Sequence, residues 1–156
     1  METHREEHVL SAPKLRLALL TINDLPRVWE QVEPLLVRAC EYSAGEMTPL
    51  WVLDGMGARD GIVRLHMLAI ADEDENVTSI MVVAVNIYPQ GRKLDCILTS
   101  GENVEEWMPE EARMAAWARS QGCVAVRIPR ARKGWTRVLS HWRKLSGATY
   151  VMELEI

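Results

Sequence analysis

KLDCILT at residues 93–99 and CVAVRI at residues 123–128, separated by SGENVEEWMPEEARMAAWARSQG at 100–122, decide how this chain folds. Each flanking run is short and apolar, as a buried strand is, and the segment between them has helix signals at both ends. Asn103 with Glu106 three residues on makes a capping-box-like start, Glu105 suits a helix N-terminus, and Gly122 is a natural stop. Pro109 predicts a kink or a restart inside that helix. A helical crossover between two strands of one sheet leaves them parallel, so Lys93–Thr99 and Cys123–Ile128 are expected side by side and pointing the same way.

Upstream the links are too short for crossovers. Leu50–Leu53 reads as a short strand ended by Asp54-Gly55, followed by a turn from Gly57 to Gly61. Ile62–Ala71, an acidic tip at Asp72–Asn76, Val77–Tyr88, a turn at Pro89-Gln90-Gly91 and then Lys93–Thr99 make an antiparallel meander. Before it, Leu15, Leu17 and Leu19 alternate as a first strand, with Leu20 and Ile22 following. Asn23 or Asp24 can cap a helix with Pro26 in its first turn, carrying Val28, Val32, Leu35, Leu36 and Ala39 on one face. Pro34 would kink that helix or mark a fresh start. Downstream, a loop at Pro129–Lys133 leads to a helix from Gly134 to Leu145, closed by Gly147, and a last strand at Ala148–Ile156. The class is α+β: a mixed sheet of about six to seven strands with a central antiparallel meander and helices on both faces.

A chain of 156 residues with 48% hydrophobic and 26% charged residues suits one soluble domain, placed at 15–156, after an arm at 1–14 that is flexible or held by a partner. Phe is absent and Trp occurs six times, so the large aromatic volume is indole, whose N–H needs a partner when buried. Cys40, Cys96 and Cys123 show no metal-ligand spacing and read as buried thiols. No metal is expected. The polar start METHREEHVL lacks the order of a signal peptide, and no apolar run reaches membrane-spanning length.

Charge is unevenly placed. Residues 112–152 contain nine Lys/Arg and no Asp or Glu, while the rest of the chain carries −13. The densest group is Arg127, Arg130, Arg132, Lys133, Arg137, Arg143 and Lys144, which is read as a partner-binding face. Trp135, Val138, Leu139 and Trp142 share a helical stripe, so the interleaved indoles read as core rather than as a base-stacking surface. Nucleic acid stays a third choice of partner, disfavoured by the net charge of −4.

The order of elements resembles the GNAT family of N-acetyltransferases, and most of all the small GNAT-like proteins of tailed bacteriophages. Leu50-Trp51, the WARSQGC string at 117–123 and the RKGWTRVL string at 132–139 carry the likeness, together with the last strand. The resemblance implies a loop after the fourth strand whose backbone N–H groups hold the cofactor pyrophosphate. The matching residues, Thr99, Ser100, Gly101, Glu102 and Asn103, retain one glycine and no basic lead residue. Carboxylates follow at Glu105 and Glu106, and each one opposing a phosphate at close range costs about 3 kcal/mol. The resemblance also implies an acid near the end of the last long helix, often Tyr. Here His141 and Tyr150 are the weak candidates.

These departures point away from catalysis. The expectation is an inactive phage-encoded protein that needs no cofactor and acts in the virion or its assembly through contacts with other phage proteins. Its location would be the host cytoplasm during synthesis, then the virion. The alternative is an N-acetyltransferase using acetyl-CoA with a divergent cofactor loop.

Overall fold

The structure, a computed structural model, describes residues 14–57, 64–100, 104–129, 135, 139–145 and 152–156. The elements are β1 (Arg16–Leu20), α1 (Leu25–Glu41), α2 (Pro49–Gly57), β2 (Leu65–Ala71), β3 (Val77–Tyr88) and β4 (Gly91–Thr99). Two short 3₁₀ turns, Val104–Glu106 and Met108–Glu110, lead into α3 (Glu111–Ser120), followed by β5 (Cys123–Ile128), β6 (Arg143–Lys144) and β7 (Met152–Glu155). They form one sheet in the order β1-β2-β3-β4-β5-β7-β6, antiparallel except for the β4–β5 pair. The expected parallel neighbours are therefore neighbours, through the expected crossover. No described helix is long and apolar enough to cross a membrane.

The strands contribute to two cores. On one face, Val28, Val32, Leu36 and Ala39 of α1 and Val52 and Met56 of α2 pack on Met67, Ala69, Val82 and Leu98. On the other, Met114 and Ala118 of α3 join Trp107, Trp135, Leu139 and Trp142 over Leu68, Ile70, Val83, Leu94 and Val126. The interleaved indoles Trp135 and Trp142 are core, as their stripe predicts. Cys40, Cys96 and Cys123 are buried thiols.

Local signals account for most boundaries. Pro26 sits in the first turn of α1, and Gly122 stops α3 with φ of +81°. Asp24 does not cap α1 through its side chain. Its carboxylate instead accepts from the backbone N–H and hydroxyl of Thr21, each at 2.8 Å. Pro34 lies inside α1 without ending it.

Three expectations need correction. Leu50–Leu53 is helical, as part of α2. Thr48 Oγ1 accepts the Trp51 N–H at 3.2 Å as a cap, Pro49 opens the helix, and burial falls at Val52, Gly55 and Met56, a helical spacing. Asp54-Gly55 is thus not a turn. Gly55 is where α2 meets β2 so closely that a Cβ would lie 2.5 Å from Leu65 Cδ1. Second, the helix expected from Asn103 begins only at Glu111, because Pro109 and the 3₁₀ turns occupy the approach. Third, the helix drawn to Leu145 ends earlier. Trp142 N–H donates to Leu139 at 2.9 Å, and Arg143 and Lys144 then pair with Glu153 and Met152 as β6.

Candidate functional site

The feature that breaks the regularity of the sheet lies where β4 meets β5. Their register runs from Arg92 opposite Cys123 to Asp95 opposite Arg127 and stops there. β4 continues to Thr99, still paired with β3 on its other edge. Within this stretch Cys96 opposes Val83 and Leu98 opposes Val82, so Ile97 is an extra residue in a β-bulge. The bulge reverses the alternation: Leu94 and Cys96 face the α3 core, whereas Ile97 and Leu98 both pack on the α1 side. Among the described residues, the β5-facing backbone edge of Cys96–Leu98 has no strand to pair with.

The crotch of this opening is pinned by charge. Arg127 donates from Nε to Asp95 Oδ1 at 2.9 Å and from Nη2 to Oδ2 at 3.2 Å. Asn86 donates to Asp95 Oδ2 at 2.7 Å, and the Tyr88 hydroxyl bonds both Asp95 and Arg127. The guanidinium also lies over the Tyr88 ring, 4.4 Å from its centroid. Burial, then Asp95, pushes the Tyr88 hydroxyl up from its usual range, so it stays protonated near neutral pH and can donate. Beside this group, two residues back along β4, Lys93 donates to Glu153 at 2.6 Å, and Arg143 reaches the same carboxylate at 2.5 Å. Burial alone would raise Glu153. Lys93 and Arg143 together outweigh it and hold the carboxyl below its ordinary value.

On the α1 side of the bulge is a small cleft of ≈ 70 Å³, lined by Ala39, Tyr42, Ser43, Met47, Ile97 and Thr99 among others. Ser43 fixes the turn after α1: its hydroxyl donates to the Cys40 carbonyl at 2.6 Å and accepts the Met47 N–H at 3.0 Å. The cleft thus lies between the carboxyl end of α1 and the bulged strand.

The candidate residues scatter. Thr99 ends β4, and Ser100 is buried, its hydroxyl 3.0 Å from both the Ser79 hydroxyl and the Ile80 N–H it accepts. Gly101, Glu102, Asn103, Arg130, Arg132, Lys133, Arg137 and Tyr150 lie outside the described residues. His141 is on the α3 face, 2.7 Å from Glu111 at the start of α3, across the sheet from the Asp95 group. Arg127 and Arg143, expected to meet a partner, are both engaged with carboxylates of this chain. Lys144 lies in β6 through its backbone.

Three glutamates of the crossover and the start of α3 have partners within this chain. Glu106 accepts from Thr78 Oγ1 at 3.3 Å, Glu110 accepts the Leu17 N–H at 3.1 Å, and Glu111 holds His141 and the Trp142 indole. They tie the crossover to β1, β3 and the last helical turn.

Sequence reasoning missed Asn86, Tyr88, Lys93, Asp95 and Glu153. A signal was present: Lys93 and Asp95 stand two apart in an otherwise apolar strand, and so share one face. Their partners required the register of three other strands.

No protein-family model and no curated protein matches the sequence. Solved structures do match. One is a ribosomal-protein-alanine N-acetyltransferase from Brucella melitensis biovar Abortus 2308, 11% identical, with a TM-score of 0.58 over 88% of this chain and 95% of that one. Another is an aminoglycoside acetyltransferase from an uncultured soil metagenomic sample, solved with trehalose, 11% identical, with a TM-score of 0.54 over 87% of this chain and 95% of that one. Both are acetyltransferases, which overturns the expectation of an inactive virion protein, and nothing in the comparisons indicates a phage origin. By architecture, strand order and these neighbours, the chain has a GNAT-like acetyltransferase fold.

Proposed function

We propose that this protein is an N-acetyltransferase using acetyl-CoA as donor. The observation that carries the reading is the parting of β4 from β5 after Asp95 and Arg127, with the bulge at Ile97 inside the opening. A parallel pair that stops while one strand runs on leaves a row of backbone N–H and C=O groups without strand partners, and such groups need satisfaction. The amide-bearing arm of an acyl-CoA is chemically suited to that edge, so Cys96–Leu98 are the residues that would hold it.

The acetyl thioester supplies the acyl group: a C–N bond forms to the amine, the C–S bond breaks, the amine loses a proton and the thiolate gains one. The chain contributes position and field. The cleft between α1 and Ile97 is ≈ 70 Å³, room for the reacting end of a slender primary amine and little more. It adjoins the C-terminal end of α1, where the helix dipole places partial negative charge and favours an arriving ammonium, which gives its extra proton to water before it attacks. Of the two glutamates that raise the electrostatic objection, Glu106 is turned onto Thr78 of this chain.

The test is release of free thiol from acetyl-CoA against a broad panel of primary amines, with calorimetric titration of acetyl-CoA alongside. Amine-dependent release is expected. Absence of both release and binding at millimolar acetyl-CoA would sink the reading.

A further inference from the structure

At the opposite end of the sheet lies a groove that acyl transfer at the β4–β5 opening would not use. It forms where β1 ends, β2 begins and α3 ends, whereas β4 and β5 part at their C-terminal ends. The last paired residue of β1 is Leu20, opposite Met67. The chain then turns away, with Asp24 N–H donating to the Thr21 carbonyl at 3.0 Å, while β2 reaches back through His66 and Leu65. The space left is ≈ 450 Å³, within the range of small-molecule sites.

Its chemistry is divided. Leu20, Met56 and Leu65 provide buried apolar surface, and Trp117 forms a wall with its ring edge-on to His66, the centroids 5.2 Å apart. Among the described residues, the lining carries one permanent charge, the exposed guanidinium of Arg64, with the side-chain amides of Asn23 and Gln121 nearby. Burial, then Arg64, lowers the His66 pKa, so the ring is neutral near pH 7, a donor and acceptor and not a second cation. The neighbouring carboxylate, Asp24, is already turned onto Thr21, with Arg27 at 3.8 Å.

We propose that this groove binds a small amphipathic carboxylate, its apolar body over Leu20, Met56 and Trp117 and its carboxylate on Arg64. A planar guanidinium matches a carboxylate with two parallel hydrogen bonds. A phosphate is disfavoured because the single described cation offsets little of its charge, whereas it neutralises a carboxylate. The site is independent of the acetyltransferase reading.

The experiment titrates the whole protein with 4-phenylbutyrate and, separately, with the neutral 4-phenylbutyramide, following the Trp117 indole N–H and the His66 ring protons by NMR. Saturable shifts at both residues are expected, with the acid bound at least about tenfold more tightly than the amide. Arg64→Gln, at an exposed position, should erase that tenfold preference, and Trp117→Leu should weaken both ligands. Equal binding of acid and amide, or no saturable shift below about 10 mM, overturns the proposal. Neither result depends on whether acetyl-CoA is turned over.

Discussion

Glu153→Gln tests the charge network beneath the β4–β5 opening. The Glu153 side chain is 3% exposed and its partner Lys93 is 10% exposed, 2.6 Å away, so the substitution leaves an ammonium in a nearly dry site. Breaking a buried pair from one side costs about 3–5 kcal/mol, because the remaining charge has no compensation. Two features place this case at the lower end. Arg143 is 61% exposed and returns to water without penalty, and Lys93 keeps the Tyr88 ring at 5.7 Å. The expected loss is therefore about 3 kcal/mol, or about 6–12 °C in melting temperature for a chain of this size. Urea denaturation with a common m-value measures it. The double variant Lys93→Met/Glu153→Leu removes both charges and should recover most of the loss. If Glu153→Gln lies within about 0.5 kcal/mol of the parent, or the double variant is the worse of the two, the ammonium is not buried as described and the reasoning fails. The pH dependence follows with a definite sign. The folded carboxyl titrates below its unfolded value near 4.5, so its contribution is complete above that pH and is lost as pH falls through the lower, folded value. Glu153→Gln should flatten this part of the acid limb.

Other expectations can be checked with the same measurements. Gly55→Ala drives a methyl to 2.5 Å from Leu65 Cδ1 and 2.6 Å from its Cγ, and should cost about 1–3 kcal/mol by overpacking. Trp107→Phe removes the indole N–H that donates to Ser79 Oγ at 2.9 Å and should cost about 1–2 kcal/mol, read by thermal melting. Gly122→Ala forces a side chain into φ of +81° at the end of α3 and should cost about 1 kcal/mol. Asp95→Asn leaves the Arg127 guanidinium short of its carboxylate at the crotch. It should lower thiol release more than it lowers stability, and equal losses in both would place Asp95 outside the acceptor side of the opening.

Much of this fold was legible because its signals are local. The crossover between β4 and β5 follows from an apolar run, a helix and a glycine stop, and the meander from links too short to do anything else. Leu50–Leu53 went astray for a physical reason: four apolar residues in a row have no periodicity, and only Pro49, the Thr48 cap and the approach of Gly55 to Leu65 distinguish helix from strand. The site was less legible. The bulge at Ile97 is a mismatch between two strands and leaves no mark in either alone. Seven cations read from the sequence as one partner-binding face, and of these Arg127 and Arg143 find carboxylates at Asp95 and Glu153, each supplied by a neighbouring strand.

The Lys93–Glu153 pair spans 60 residues of sequence, and this separation orders events during synthesis. When β1 to β4 have emerged, the Lys93 ammonium still lacks Glu153 and stays hydrated. Water at that position keeps the outer edge of β4 wet until β5 and β7 arrive. A nascent chain arrested before Glu153 should therefore present β4 as a protease-accessible edge beside an already closed α1–α2 core, and the same edge should become resistant once β7 is released.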